Sequence, residues 1–446
     1  MTDLLAARTQ MALSLGFHIV FAEIGIAMPL MMVIAEWRWR RTGELAYLDL
    51  ARRWAKGTAI LFAVGAVSGT VLSFELGLLW PGFMRWAGAI IGMPFSLEGF
   101  AFFTEAIFLG VYLYGWERVS PRAHLVAGVI VAVSGAASAV FVVTANAWMN
   151  APAGFDLVNG QATHVDPIAA MLNRAALSQT IHMVLAAYAA TGMAVAGIHA
   201  ALLLRGSRGA LHRHALAVAL VVGAPAALLQ PLSGDLSARF VARWQPVKLA
   251  ALEGQFATER GAPLRIGGVP DEDARTTRWA IEIPHGLSLL AFHDPDAEVR
   301  GLNEVPRELW PPVLPVHLAF QVMVGLGTAL ALVGAWAGVL ALRRRSPADV
   351  RAFLWAVAVA APFGFIATEA GWTVTEVGRQ PWIIQGVLLV RDAVTPMPGL
   401  IVPFLLFTVL YLFLGVVVVW LLWSQIARSA DTADSADTAG ATREPA

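Results

Sequence analysis

The chain contains no cysteine. This removes disulfide frameworks, thiolate-held iron–sulfur clusters and the Cys-x-x-Cys-His attachment of haem, so any metal must be held by His, Met or carboxylate. Charge is scarce: 14% of the 446 residues are Asp, Glu, Lys or Arg, and 31 basic side chains cancel 31 acidic ones. A soluble domain carries about 25% charged residues, and nothing in the balance calls for a nucleic-acid partner. The short alternating segments of a membrane β-barrel are also missing. No inverted repeat of the transporter kind is visible. A cleavable leader is lacking too, because the first apolar run carries His18 and Glu23 and has no small-residue cleavage site, so it is expected to remain as a helix.

What fills the chain is apolar sequence, 58% of it, with a mean hydropathy of +0.65. A bilayer crossing takes roughly 20 residues, and nine such runs can be drawn, at 11–34, 54–78, 94–116, 123–147, 178–203, 214–236, 313–342, 351–372 and 398–424. The expected fold is an all-α integral membrane bundle. Helices 1–6 occupy 1–236, a long connection occupies 237–312, and helices 7–9 occupy 313–427. The low-complexity segment 428–446, "RSADTADSADTAGATREPA", lacks the apolar surface to fold and is expected to be a disordered cytoplasmic tail. The connection between helices 6 and 7 is rich in charge and proline but keeps Trp and Ile, which favours a functional loop over plain disorder.

Loops after helices 1, 3, 5 and 7 hold fifteen cations, among them Arg38, Arg40, Arg41 and Arg343 to Arg345. The short loops on the other side hold four: Arg85, Arg174, Arg379 and Arg391. The positive-inside rule then puts the N-terminus in the periplasm and the C-terminus in the cytoplasm of a multi-pass bacterial inner-membrane protein.

Ionisable groups inside apolar runs cost at least a few kcal/mol and tend to be functional. Here they are His18, Glu23, Glu75, Glu98, Glu105, His182, His199 and Glu369, with Glu376 just past a helix end. His18, His182, Glu98, Glu376 and Met323 are expected in one layer near the outer surface. A layer of His, Met and carboxylate suits iron in porphyrin. Each residue also has a plainer reading. His182 in "SQTIHMV" could be an interhelical hydrogen-bonder and Met323 in "FQVMVG" core filler. Glu98 and Glu105 share a helix face and could pair with a cation as well as carry protons. A proton-coupled secondary transporter would also place Glu and His in mid-membrane, and a haem-free partner-binding subunit is a further alternative.

The motifs "SLEGFAFFTEAIFLGVYLYGW", "TANAWMNAP", "QTIHMVLAAY", "VKLAALE", "AFQVMVG" and "TEAGWTVTEVGRQPW" occur in that order in subunit I of cytochrome bd-type quinol oxidases, which the chain resembles from about residue 8 to 425. The resemblance implies that His182 and Met323 bind a low-spin haem b. His18 and Glu376 would each bind one of the two remaining haems, a high-spin haem b and a haem d or third b-type haem; which of the two holds haem d differs within the family. Arg379, Gln380 and Trp382 would surround Glu376, and Trp372 would stand between haems. Glu98 and Glu105 would serve oxygen reduction and its proton path, with Ser138, and Lys248 and Glu253 would serve quinol oxidation in the loop. Two departures are present: Gln321 stands where some members have Arg, and the two helix-3 acids are seven residues apart rather than eight. The short loop points to the cyanide-insensitive branch. Implied partners are a subunit II, a small single-helix subunit, ubiquinol or menaquinol, O2 and membrane lipid. The implied activity is quinol oxidation on the periplasmic side and O2 reduction to water with cytoplasmic protons, generating a proton motive force without pumping.

Overall fold

The computed structural model describes residues 1–207 and 209–441, with side chains through Ser424. Among the described residues nine helical spans are long and apolar enough to cross a membrane. They are α1 (Asp3–Thr42), α2 (Leu45–Leu79), α3 (Pro81–Tyr114), α4 (Pro121–Asn150), α5 (Ala176–Leu204), α6 (Ala210–Trp244), α7 (Val313–Leu342), α8 (Arg351–Ala360 continuing as Phe363–Glu376) and α9 (Ile401–Ala441). Local chemistry sets their ends. Thr2 caps α1 by accepting from the Leu5 amide, and Gly43 closes it at φ +74°, a left-handed value that suits glycine. Ser120 caps α4 with Pro121 in the first turn, where its missing N–H costs nothing.

Packing uses small residues. In α5 the buried positions include Ala187, Ala190, Gly192, Ala196 and Ala200, and in α6 Ala215, Ala219, Gly223 and Ala227. A Cβ added at Gly192 would stand 2.6 Å from the Gly223 Cα. The two backbones therefore touch, as small residues permit where lipid supplies no hydrophobic drive between helices.

Several boundaries differ from the sequence expectation; α2, read from 54, begins at Leu45, and α1, read to 34, runs on to Thr42. The helix read from 94 begins at Pro81, so Glu98 is no longer near its start; Pro94 lies inside α3. Likewise α1 begins at Asp3 and α6 runs to Trp244 rather than 236. The extra turns are too polar or too aromatic to read as membrane sequence. Those of α1 and α3 are held by packing on one another, Ala6, Ala7, Phe83 and Ala87 sharing a buried cluster with Trp148 and Ile384, and the end of α6 packs on the loop through Ala242, Leu249 and Leu287. The α9 helix continues to Ala441, through most of the segment expected as a tail, where alanine favours helix; residues 442–446 lie outside the described residues.

The connection from α6 to α7 is ordered. It opens with a short helix, Pro246–Glu253, and continues through antiparallel two-stranded ribbons, Leu264–Ile266 with Ile281–Ile283 and Val269–Asp271 with Thr276–Arg278.

Candidate functional site

His18 on α1 faces α2, its Nδ1 2.9 Å from the Ser68 Oγ. The Ser68 hydroxyl hydrogen is directed at the Val64 carbonyl, 2.9 Å away. Ser68 therefore accepts from the Nδ1–H, and the free lone pair falls on Nε2, the nitrogen left for a metal. Gly69 makes room for the ring, since a Cβ there would stand 3.0 Å from the His18 Cε1. The same device recurs between α5 and α6. His182 Nδ1 is 2.9 Å from the Ser233 Oγ, which donates to the Gln230 carbonyl at 2.9 Å, and the next residue, Gly234, lies against the imidazole. Here the Gln230 Nε2 is 3.2 Å from the His182 Nε2, so the amide must turn aside for that nitrogen to bind a metal. Met323 on α7 is held by a different neighbour: its Sδ lies 3.1 Å from where a Gly371 Cβ on α8 would be.

Glu376 ends α8. One carboxylate oxygen accepts from the Asn146 Nδ2 and the other pairs with Arg379 at 2.5 Å. Arg379 is buried, and its Nε and Nη1 have no hydrogen-bond partner. Trp382 begins a strand, Trp382–Ile384, antiparallel to Leu388–Leu389, and the Gln385 amide donates to the Met149 carbonyl at 2.9 Å. This fastens the segment after Gln380 to the end of α4. Trp372 and Gln380 are half-buried.

Lys248 and Glu253 do not form a solvated pair. Both are buried in the loop helix, 6% and 4% exposed, and lie roughly 140° apart around it. Lys248 Nζ donates to the Thr375 carbonyl at 3.1 Å and to the Asn150 Oδ1 at 3.4 Å. Burial, reinforced by the Arg379 charge and opposed by Glu376, pulls the Lys248 ammonium down to about 7. Burial pushes the Glu253 carboxyl up to about 7, with Arg265 opposing; its Oε2 has no partner.

Asn150 is the junction that sequence reasoning missed. Its Nδ2 donates to the Asn146 Oδ1 at 3.1 Å, and the Gln245 Nε2 donates to its carbonyl at 2.8 Å. A chain of donors therefore runs from Lys248 through Asn150 and Asn146 to Glu376. The signal available in "TANAWMNAP" was two Asn four residues apart, hence on one helix face.

The two acids of α3 face α4. Ser138 Oγ donates to the Glu98 Oε1 at 3.2 Å. Glu105 is buried against Gly135, where a Cβ would stand 3.2 Å from its carboxylate oxygens. Of the other ionisable groups, Glu75 accepts from Gln10 and Ser14 at 2.9 Å each, and His199 meets His212 with their Nδ1 atoms 3.0 Å apart. Both oxygens of buried Glu23 lack a partner, as does the Glu369 Oε1.

Comparison with known proteins identifies the family. Residues 6–430 fit the family model of the cytochrome bd terminal oxidase subunit I. The putative cytochrome bd menaquinol oxidase subunit I of Bacillus subtilis (strain 168) is 40% identical over 430 residues, 95% of this chain and 96% of that one. The cytochrome bd-II ubiquinol oxidase subunit 1 of Escherichia coli (strain K12) is 30% identical over 454 residues, 86% of this chain and 88% of that one. The solved bd oxidase of Geobacillus thermodenitrificans superposes with a TM-score of 0.90 at 39% identity, over 96% of this chain and 99% of that one. The chain therefore belongs to the cytochrome bd terminal oxidase subunit I family, the quinol:O2 oxidoreductases of respiratory electron transport.

Proposed function

We propose that His182 and Met323 ligate a low-spin haem b, that His18 and Glu376 each ligate one of two further haems, and that quinol is oxidised at Lys248 and Glu253. The residues present fit such groups. Each histidine presents an Nε2 lone pair because a serine takes its Nδ1–H. The buried Arg379 is paired with Glu376 through Nη2, but its Nε and Nη1 lack partners; they suit an anionic substituent such as a propionate, since buried donors left unsatisfied are costly. When bound, the haems supply one-electron transfer and an open iron position for oxygen.

The protein's own side chains then have distinct tasks. Glu253, with its affinity for protons raised to about 7, accepts a hydroxyl proton from quinol. Lys248 holds a quinol oxygen by its ammonium and reaches Glu376 through Asn150 and Asn146. That donor chain is the observation carrying the reading, because it ties the loop helix to the "EVGRQPW" segment. Gln380 and Trp382 complete the polar and aromatic wall beside Glu376, and Trp372 lies one helical turn before it on α8. Glu105, Glu98 and Ser138 line the seam between α3 and α4 and pass protons from the arginine-rich end toward the oxygen site. Taking protons from the cytoplasm and releasing quinol protons into the periplasm separates charge without a pump. The loop between α6 and α7 then lies in the periplasm, as does the N-terminus, with the C-terminus in the cytoplasm of a bacterial inner membrane. A subunit II and a small single-helix subunit complete the enzyme, and ubiquinol or menaquinol is the donor.

The test separates loop from haem. Glu253→Gln in the purified complex is expected to leave the haem spectrum intact and to lower quinol oxidation about 100-fold or more, while oxygen reduction from an artificial donor persists. Equal loss of both activities, or loss of neither, would remove Glu253 from quinol chemistry.

A further inference from the structure

The ribbon Leu264–Ile266 with Ile281–Ile283 is two-faced. Its register pairs Leu264 with Ile283, Arg265 with Glu282 and Ile266 with Ile281. Side chains alternate across a strand, so Leu264, Ile266, Ile281 and Ile283 share one face. Arg265 and Glu282 occupy the other, joined at 3.0 Å. The charged face is satisfied inside the loop, where Arg265 also reaches Gln255. The apolar face is covered at Leu264, which packs on the loop's own cluster of Leu249, Leu287 and Ala291, and open beyond it: Ile266 is 49% exposed, Ile281 68% and Ile283 44%. Trp279, two residues before Ile281, is 82% exposed and holds φ +58°, a conformation that a bulky residue rarely adopts.

The height of this ribbon is set by α7. The Gln321 side chain clasps its backbone twice, accepting from the Gly267 amide at 3.0 Å and donating to the Arg265 carbonyl at 3.0 Å. The His317 ring lies between the carbonyls of Leu252 and Gly267, 2.7 and 3.0 Å away. Leu342, the last residue of α7, is followed directly by three arginines. Gln321 is about twenty residues earlier, so some 30 Å of helix separates them, the thickness of the hydrocarbon layer. The ribbon is thereby hung at the opposite boundary, level with lipid headgroups, where α7 itself exposes the apolar residues Leu318 and Val322 on either side of the clasping Gln321 in the sequence. Tryptophan is favoured at that level.

We infer that this ribbon is a membrane-contacting element: its Ile266–Trp279–Ile281–Ile283 face lies in the lipid leaflet on the loop's side, held there by the Gln321 and His317 clasp. The departure at Gln321 gains a role, since an amide can both donate to and accept from one strand whereas an arginine can only donate. The inference does not depend on which residues oxidise quinol.

Because the chain has no cysteine, an introduced cysteine is its one labelling site, and the unsubstituted complex carried through the same labelling gives the background to subtract. Ile281→Cys and, separately, Glu282→Cys would be spin-labelled in the purified complex and placed in phosphatidylcholine/phosphatidylglycerol nanodiscs. Collision with O2, which partitions into lipid, is then compared with collision with a water-soluble nickel chelate. The label at 281 is expected to favour O2 several-fold over the label at 282. Equal access of nickel to both would overturn the proposal, as would shielding of position 281 from both probes, which would mean that protein covers the face. Ile283→Cys serves as a second probe of the same face should Ile281→Cys fail to assemble. Adding Gln321→Leu should abolish the preference for O2 at 281; a preference that persisted would overturn the clasp.

Discussion

The pairs α1–α2 and α5–α6 hold their histidines in the same way, yet their surroundings differ. In each, an imidazole Nδ1 donates to a serine whose hydroxyl is fixed to a carbonyl of its own helix, and a glycine follows that serine. Ser68-Gly69 serves His18; Ser233-Gly234 serves His182. Around His18 the same two helices bury Glu23 and Glu75. Around His182 the buried residues of α5 and α6 include no acid. A neutral apolar shell suits a site that only passes electrons, because no proton must arrive with the charge. A shell with acids suits a site where charge is neutralised by protons. On the proposed assignment, the common device orients a ligand and the differing shells divide the labour.

Removing the acid function should give the largest effect on the proton-consuming side. Glu105→Gln keeps size and hydrogen bonding but cannot carry a proton, so turnover should fall by about 100-fold or more with haem content unchanged. Unchanged turnover with all haems present would take Glu105 out of the path and blur the contrast between the two regions.

The orienting serines allow a matched pair of changes. Ser68→Ala and Ser233→Ala each remove the acceptor of an Nδ1–H, and loss of such a partner typically costs about 10- to 100-fold in metal affinity or activity. Each change should alter only the haem served by its own histidine, as read by haem content and redox titration. If either shifts both haems alike, the two devices are not independent.

Loop chemistry should appear in the pH profile. Glu253, raised to about 7 by burial, is protonated below that value and free to accept a proton above it. Lys248, lowered to about 7, is charged below and neutral above. Quinol oxidation should therefore rise and then fall around neutrality, a bell centred at about pH 7. Glu253→Gln should remove the acid limb and Lys248→Met the alkaline limb, each from what activity is left. A profile unchanged in shape by both would place the titrating groups elsewhere.

The smallest expected effect is at Met323, the proposed partner of His182. Met323→Leu conserves volume, so the bundle should lose under about 1.5 kcal/mol of stability, while the low-spin haem turns high-spin or drops in potential. Magnetic circular dichroism would read this, and a normal low-spin signal would exclude Met323.

Much of this was legible in the sequence. Nine long apolar runs specify nine spans, and "EVGRQPW", "QTIHMV" and "FQVMVG" carry the proposed ligands through family resemblance. What escaped were the short polar side chains that orient them. Ser68, Ser233 and Asn150 lie in runs where Ser and Asn also occur as ordinary interhelical hydrogen-bonders, and only the partner helix makes them specific. The outer turns of α1, α3 and α6 escaped because hydropathy finds lipid contact, not helix. The loop ribbons escaped because strands of three residues leave no readable period. Depth estimates taken from apparent helix starts failed for the same reason at Glu98.

The central claim is that two serine-held histidines bind two different haems. It is tested most directly by reduced-minus-oxidised absorption spectra of His18→Ala and His182→Ala complexes, each with haem stoichiometry determined. His182→Ala should lose the low-spin b band and keep the others, while His18→Ala should keep the low-spin b band and lose one of the remaining haems. If both variants lose the same band, or both retain the full spectrum and haem count, the claim is contradicted.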